Sequence, residues 1–181
     1  MPLITSGHQH FGENKVQEAA EKWTDIKVKF KNIKLHLVGG LQTNKVKFCL
    51  PLFDYIHSLD NERLAEKISK QQEQKNFKPK IFIQVNFDNE TQKGGVNIKN
   101  LDLFVKKCMS DYKLNIIGLM CIPPNNKDPK IYFNKIKKLN ELFGLKDLSM
   151  GMSNDYMIAA EIGTTFLRIG SKIFGERVNK F

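Results

Sequence analysis

Arginine is nearly absent from this chain. Of its 29 basic residues only Arg63, Arg168 and Arg177 are arginine, and the lysines are spread along all 181 residues. Nucleic-acid sites use arginine for bidentate contacts and gather their charge on one face. The formal net charge of +10 therefore does not argue for a nucleic-acid partner. Beside so many Asn, Ile and Phe residues, it reads as the codon choice of an AT-rich genome. Cysteine is scarce too. Cys49, Cys108 and Cys121 are odd in number and lack CxxC spacing, which argues against a disulfide framework or zinc site and for buried or free thiols. The four histidines (His8, His10, His36, His57) form no ligand pattern, and His8 and His10 merely alternate as strand residues do. No apolar run approaches a membrane span. Residues 1–10 have neither the basic start nor the apolar stretch of a signal peptide, so a cytoplasmic setting is expected. No low-complexity linker interrupts the chain, which reads as a single domain over residues 1–181.

What the chain does have is alternation. Short apolar runs fall at His10–Phe11, Leu35–Val38, Tyr55–Leu59, Ile81–Phe87, Ile116–Ile122, Leu148–Met150 and Phe166–Ile169. Helical periodicity fills Glu13–Trp23, Asn61–Gln74, Ile98–Ser110, Pro129–Phe143 and Asp155–Ile162. Strands alternating with helices imply parallel pairing with right-handed crossovers, hence an α/β fold. Punctuation agrees with this reading. Asp60 is placed to cap one helix, and Ser153 or Asn154 another. Pro129 suits a first helical turn, and Gly144 suits the residue just past a helix end. In Ile81–Phe87 one face is wholly apolar while the other offers Gln84 and Asn86, as in a strand with helices on one side and a site on the other.

The most informative segment is residues 148–177. It reads as a buried strand, a turn bearing Gly151 and Ser153, a helix, a second buried strand containing Arg168, and a turn with Gly170 and Ser171. Two neighbouring strand ends that both offer small residues, hydroxyls and backbone N–H groups suggest the phosphate site of a β/α barrel. Simpler readings stand beside this one. Ser153 as a plain helix cap, Gly170 as a turn residue, Arg168 in a structural ion pair, and Met150 and Met152 as core filling are each open on the sequence.

Five stretches resemble the pyridoxal phosphate homeostasis protein family: HFGENKVQEA at 10–19, LHLVGGLQTNK at 35–45, IQVNFDNETQKGGV at 83–96, GLMCIPP at 118–124, and the long segment above. The resemblance implies a (β/α)8 TIM barrel of the alanine racemase N-terminal type. It also implies a site for pyridoxal 5′-phosphate (PLP). Ser153 and Ser171 would bond the phosphate, with Gly151 and Gly170 letting the backbone approach it. Arg168 would face the pyridine nitrogen, where a guanidinium that keeps its proton weakens the ring as an electron sink. Asn14 would wall the ring.

The chain departs from the family at one point. Its relatives hold PLP on a lysine at the end of the first strand, and no such strand, helix or lysine is found here. Only seven apolar runs are present where a closed barrel has eight strands. The expectation is an N-terminally truncated, incomplete barrel with two open edges, prone to association or misfolding. PLP, if bound, would be held without a covalent bond. Lys15, Lys45 and Lys93 lie in family-like motifs and read as solvated surface lysines. The expected function is non-enzymatic PLP binding in vitamin B6 balance, with PLP and PLP-dependent apoenzymes as partners, no membrane, and the monomer of the complete family fold. Two alternatives are a cofactor-free remnant or interaction protein, and a PLP enzyme that uses another lysine.

Overall fold

The structure, a computed structural model, describes residues 2–88 and 94–175. A short helix α1 (Pro2–Thr5) leads into β1 (His10–Glu13), α2 (Val16–Lys29) and β2 (Lys34–Leu37). A 3-10 turn (Thr43–Lys45) and α3 (Val46–Cys49) then precede β3 (Tyr55–Leu59), α4 (Glu62–Lys75), β4 (Lys80–Asn86) and a two-residue β5 (Val96–Asn97). The remainder is α5 (Ile98–Ser110), β6 (Asn115–Cys121), α6 (Pro129–Leu142), β7 (Asp147–Met152), α7 (Tyr156–Ile162), β8 (Phe166–Arg168) and α8 (Ser171–Phe174). Every strand pair is parallel. The order is β1-β2-β3-β4-β6-β7-β8, with β5 added beside β4.

The sheet curls into a barrel open along one seam. Among the described residues β1 and β8 have strand neighbours on one side only. Their interior side chains nevertheless meet across the seam, where the Phe166 ring lies 6.1 Å from that of His10. Two apolar compartments result. The larger fills the layer between sheet and helices and includes Leu35, Leu37, Ile56, Ile81, Ile83, Val85, Leu119, Phe133 and Ile136. The smaller is the barrel interior, with Tyr55, Phe82 and Met120 fully or nearly buried and Phe166 against them. β4 thus faces the helices through Ile81, Ile83 and Val85. Its inner face is not polar throughout, because Phe82 plugs the interior below Gln84 and Asn86.

Local chemistry explains most element boundaries. Pro129 is the first residue of α6, and the Asp128 carboxylate in front accepts the Lys130 N–H at 2.9 Å. Gly144 follows α6 with φ +65, which a side chain would strain. The cap of α4 is Asn61 rather than Asp60, since its Oδ1 accepts the Leu64 N–H at 2.9 Å. Asn140 of α6 is buried and bridges two elements, accepting from Leu119 N–H and donating to the Leu145 carbonyl. Gly118 marks a close approach between β6 and β7. A Cβ there would sit 1.9 Å from the Asp147 carbonyl oxygen and 2.9 Å from Phe82. Because both β6 and β7 would have to move, Gly118→Ala is expected to cost about 3 kcal/mol or more in urea unfolding. A loss below about 1 kcal/mol would contradict this β6–β7 spacing.

Candidate functional site

In a parallel barrel all strand C-termini lie on one rim, and the loops that follow them build the site. Asn14 follows β1, Gly151 and Ser153 end β7, and Gly170 and Ser171 follow β8, so the sheet gathers all of these residues on that rim. The β7 and β8 tips are adjacent, with Met152 in register with Arg168. Gly163 ends α7 at φ +99, and Thr165 then ties β8 back to β7 by receiving the Leu148 N–H at 2.7 Å. Gly151 adopts φ +90, and a Cβ there would lie 2.5 Å from Ala159. Its lack of a side chain lets α7 close on the strand.

The hydroxyls of Ser153 and Ser171 make no hydrogen bond to another described residue, so both remain available at the rim. Ser153 is not the cap of α7: Asp155 holds that position and caps with no side-chain bond. Its carboxylate instead turns back to accept the Met152 N–H at 2.6 Å. That N–H is therefore engaged, which removes one of the backbone donors expected after β7. Gly170 has open space where a Cβ would stand, and Ser171 begins α8.

Among the described residues Arg168 forms no ion pair. It donates to the Ser149 hydroxyl at 2.6 Å and to the Cys121 carbonyl at 3.0 Å, both neutral acceptors. Burial pulls its pKa below the ordinary value, yet a guanidinium keeps its charge at physiological pH. Two of its five N–H donors are committed, leaving the others for an acceptor. Asn14 lies across the seam from Arg168, on the β1 side. Its carbonyl would meet a Cβ on Gly39 at 2.2 Å, so Gly39 lets the β1 and β2 tips close together. Glu13 anchors this corner by accepting from Trp23 Nε1 and Lys22. Of the lysines singled out in the sequence, Lys15 is exposed and pairs with Glu18 at 2.6 Å. Lys45 is half-buried in the 3-10 turn, and Lys93 lies outside the described residues. A cavity of about 240 Å³ opens elsewhere on the rim, lined by Gln84, Asn86, Asp88, Ile122 and Pro124. It shares no lining residue with the β7–β8 tips.

Below the rim lies a feature that the sequence did not reveal. His10 Nδ1 is 2.9 Å from His36 Nε2, and His36 Nδ1 is 2.9 Å from His57 Nε2. His57 Nδ1 is in turn 2.8 Å from the Ser149 hydroxyl that Arg168 bonds. Three of the four histidines thus form one column, with Tyr55 stacked on His36 at 4.1 Å and Phe82 on His57 at 4.5 Å. Burial lowers the His36 pKa to about 3 and that of His57 well below 6.5. His10 is lowered too, first by burial and then by His8. Among the described residues no group of histidines, cysteines and carboxylates is arranged to hold a metal, and no helix is long and apolar enough to cross a membrane.

Comparison with known proteins covers nearly the whole chain. Residues 1–178 match the family described as alanine racemase, N-terminal domain. A pyridoxal phosphate homeostasis protein of Aquifex aeolicus is 38% identical over 180 residues, spanning 94% of this chain and 78% of the relative. The structure of PipY from Synechococcus elongatus with PLP bound superposes with a TM-score of 0.88 at 30% identity, covering 96% of this chain and 85% of that one. An alanine racemase of Bartonella henselae shares the fold at 18% identity, with a TM-score of 0.72.

Proposed function

Since the chain belongs to the pyridoxal phosphate homeostasis proteins, built on the alanine racemase N-terminal domain, we propose that it binds PLP on the β7–β8 rim. It serves vitamin B6 balance there by holding the cofactor and passing it to PLP-dependent apoenzymes, without turning over a substrate. The observation that carries this reading is Arg168, a guanidinium set into the barrel beside two strand tips whose serine hydroxyls have no partner among the described residues.

The residues present fit the group. Ser153 and Ser171 offer donors to a phosphate dianion, which gains most from hydrogen bonds that are charge-assisted. The open space at Gly170 lets phosphate oxygens reach the backbone. Arg168 brings donors that stay protonated, matched to an unprotonated pyridine nitrogen, and Asn14 closes the opposite side. When bound, the cofactor supplies an aldehyde and an electron-withdrawing ring. A guanidinium at the ring nitrogen keeps that ring a poor electron sink. The buried thiols suit a reducing cytoplasm: burial raises Cys49 and pushes Cys108 and Cys121 up to about 12, so none is nucleophilic.

An absorbance titration with PLP tests the reading. A saturable spectral change is expected, weakened at least about tenfold in a Ser153→Ala/Ser171→Ala double variant. If the cofactor is held without a covalent bond, borohydride treatment of the complex should leave the chain mass unchanged. Absence of any saturable change would point to a cofactor-free scaffold. A reduced adduct mapped to one lysine would point to covalent attachment.

A further inference from the structure

We propose that Ser149, His57, His36 and His10 are positioning residues for Arg168, forming a one-way hydrogen-bond column that fixes the guanidinium and allows each imidazole one tautomer. The direction follows from the donors. Arginine can only donate, so the Ser149 oxygen accepts from it at 2.6 Å. The single hydroxyl proton of Ser149 is then free to go to His57 Nδ1, at 2.8 Å. His57 must therefore carry its proton on Nε2, which donates to His36 Nδ1. His36 likewise donates from Nε2 to His10 Nδ1. His10 ends the column at the edge strand β1, where it is exposed and its own Nε2–H meets solvent.

The opposite direction is worse by one complete bond. His57 would donate to Ser149, which would then accept from both sides with its own proton pointing at no described partner. A buried donor without an acceptor costs about 1–3 kcal/mol, and Ser149 is fully buried. The positive charge of Arg168 at the inner end therefore selects one of two otherwise similar arrangements. The column cannot pass a proton through to the site either, because it stops at a group that gives none up. Its work is to orient.

Burial first, and then the charges around it, keep the column neutral. His10 faces His8, Lys34, Asp54 and Lys80, and His36 faces His10, Asp54, Lys27 and Lys80. His57 faces His36 and Arg168. Only Asp54 favours a proton, and it is shared with Lys27 at 2.6 Å. Charging His10 would set its Nδ1–H against the Nε2–H of His36, so the column opens first at its solvent end.

The column is a property of the unliganded chain, so its test stands whether or not PLP binds. Long-range 15N–1H correlation on labelled apoprotein at about pH 7 reads each tautomer directly. His10, His36 and His57 are all expected as neutral Nε2–H forms. In Ser149→Ala, His57 loses its donor and should become a mixture of tautomers, with the Arg168 guanidinium protons exchanging about tenfold faster. Ser149→Thr, which keeps the hydroxyl, should restore both signals. Nδ1–H forms at His36 or His57 in the wild type would overturn the proposal without any variant, and so would a Ser149→Ala spectrum identical to wild type at His57.

Discussion

Lowering the pH from about 7 to about 4 is expected to remove about 3 kcal/mol of stability through His36 alone. The fold accommodates this imidazole only in its neutral form, because burial holds its pKa at about 3 against 6.5 in the unfolded chain. Stability from this source is therefore complete above about pH 6.5 and drains away as the pH falls towards 3. His57, buried more deeply still, acts in the same direction. A domain holds only about 5–15 kcal/mol in total, so the loss is large enough to read in urea midpoints across the range. Carboxylates such as Glu62 and Asp88, whose pKa values are lowered by hydrogen bonds from Lys107 and Lys127, also weaken the acid form. The difference between wild type and His36→Gln cancels them. The variant should be less stable near neutrality but lose much less on acidification. Parallel pH profiles for the two proteins would show that His36 does not titrate as its burial implies.

Ser171→Asp is expected to weaken PLP at least about 100-fold, because a like charge set against the phosphate costs several kcal/mol. Ser171→Ala should cost about tenfold, the value of one hydrogen bond to a charged group. Ser171 is exposed at the start of a four-residue helix, so neither change should move the melting temperature of the apoprotein by more than a degree or two. That separation matters, since loss of binding with an intact fold isolates the rim. An aspartate variant that binds as tightly as wild type would remove the phosphate from the β8 tip.

How much of this was legible in the sequence depends on how local each signal is. The strand Tyr55–Leu59 and the helix Ile98–Ser110 appear with the boundaries that their apolar patterns imply. Buried parallel strands leave continuous apolar runs, and a 13-residue amphipathic helix repeats its face three times over. The cap of α4 was misplaced by one residue because Asp60 and Asn61 are both able caps, and only the backbone decides between them. α3, α8 and the two-residue β5 are too short to establish a period. The glycine and serine tips of β7 and β8 were readable because each lies within a few residues of its strand. The histidine column was not. Its members stand 26, 21 and 92 residues from their partners, and only sheet register and barrel curvature unite them. Even so, a histidine at an inward position of each of three consecutive strands was the available clue. The partners of Arg168 were hidden for the same reason, since among the described residues its acceptors come from β6 and β7.

The most direct measurement is a crystal structure of the chain grown with saturating PLP. The phosphate should lie within hydrogen-bond reach of the Ser153 and Ser171 hydroxyls, with the ring nitrogen facing Arg168 and Asn14 beside the ring. Cofactor density lodged in the Gln84–Pro124 cavity, or on the opposite end of the barrel, would contradict the account.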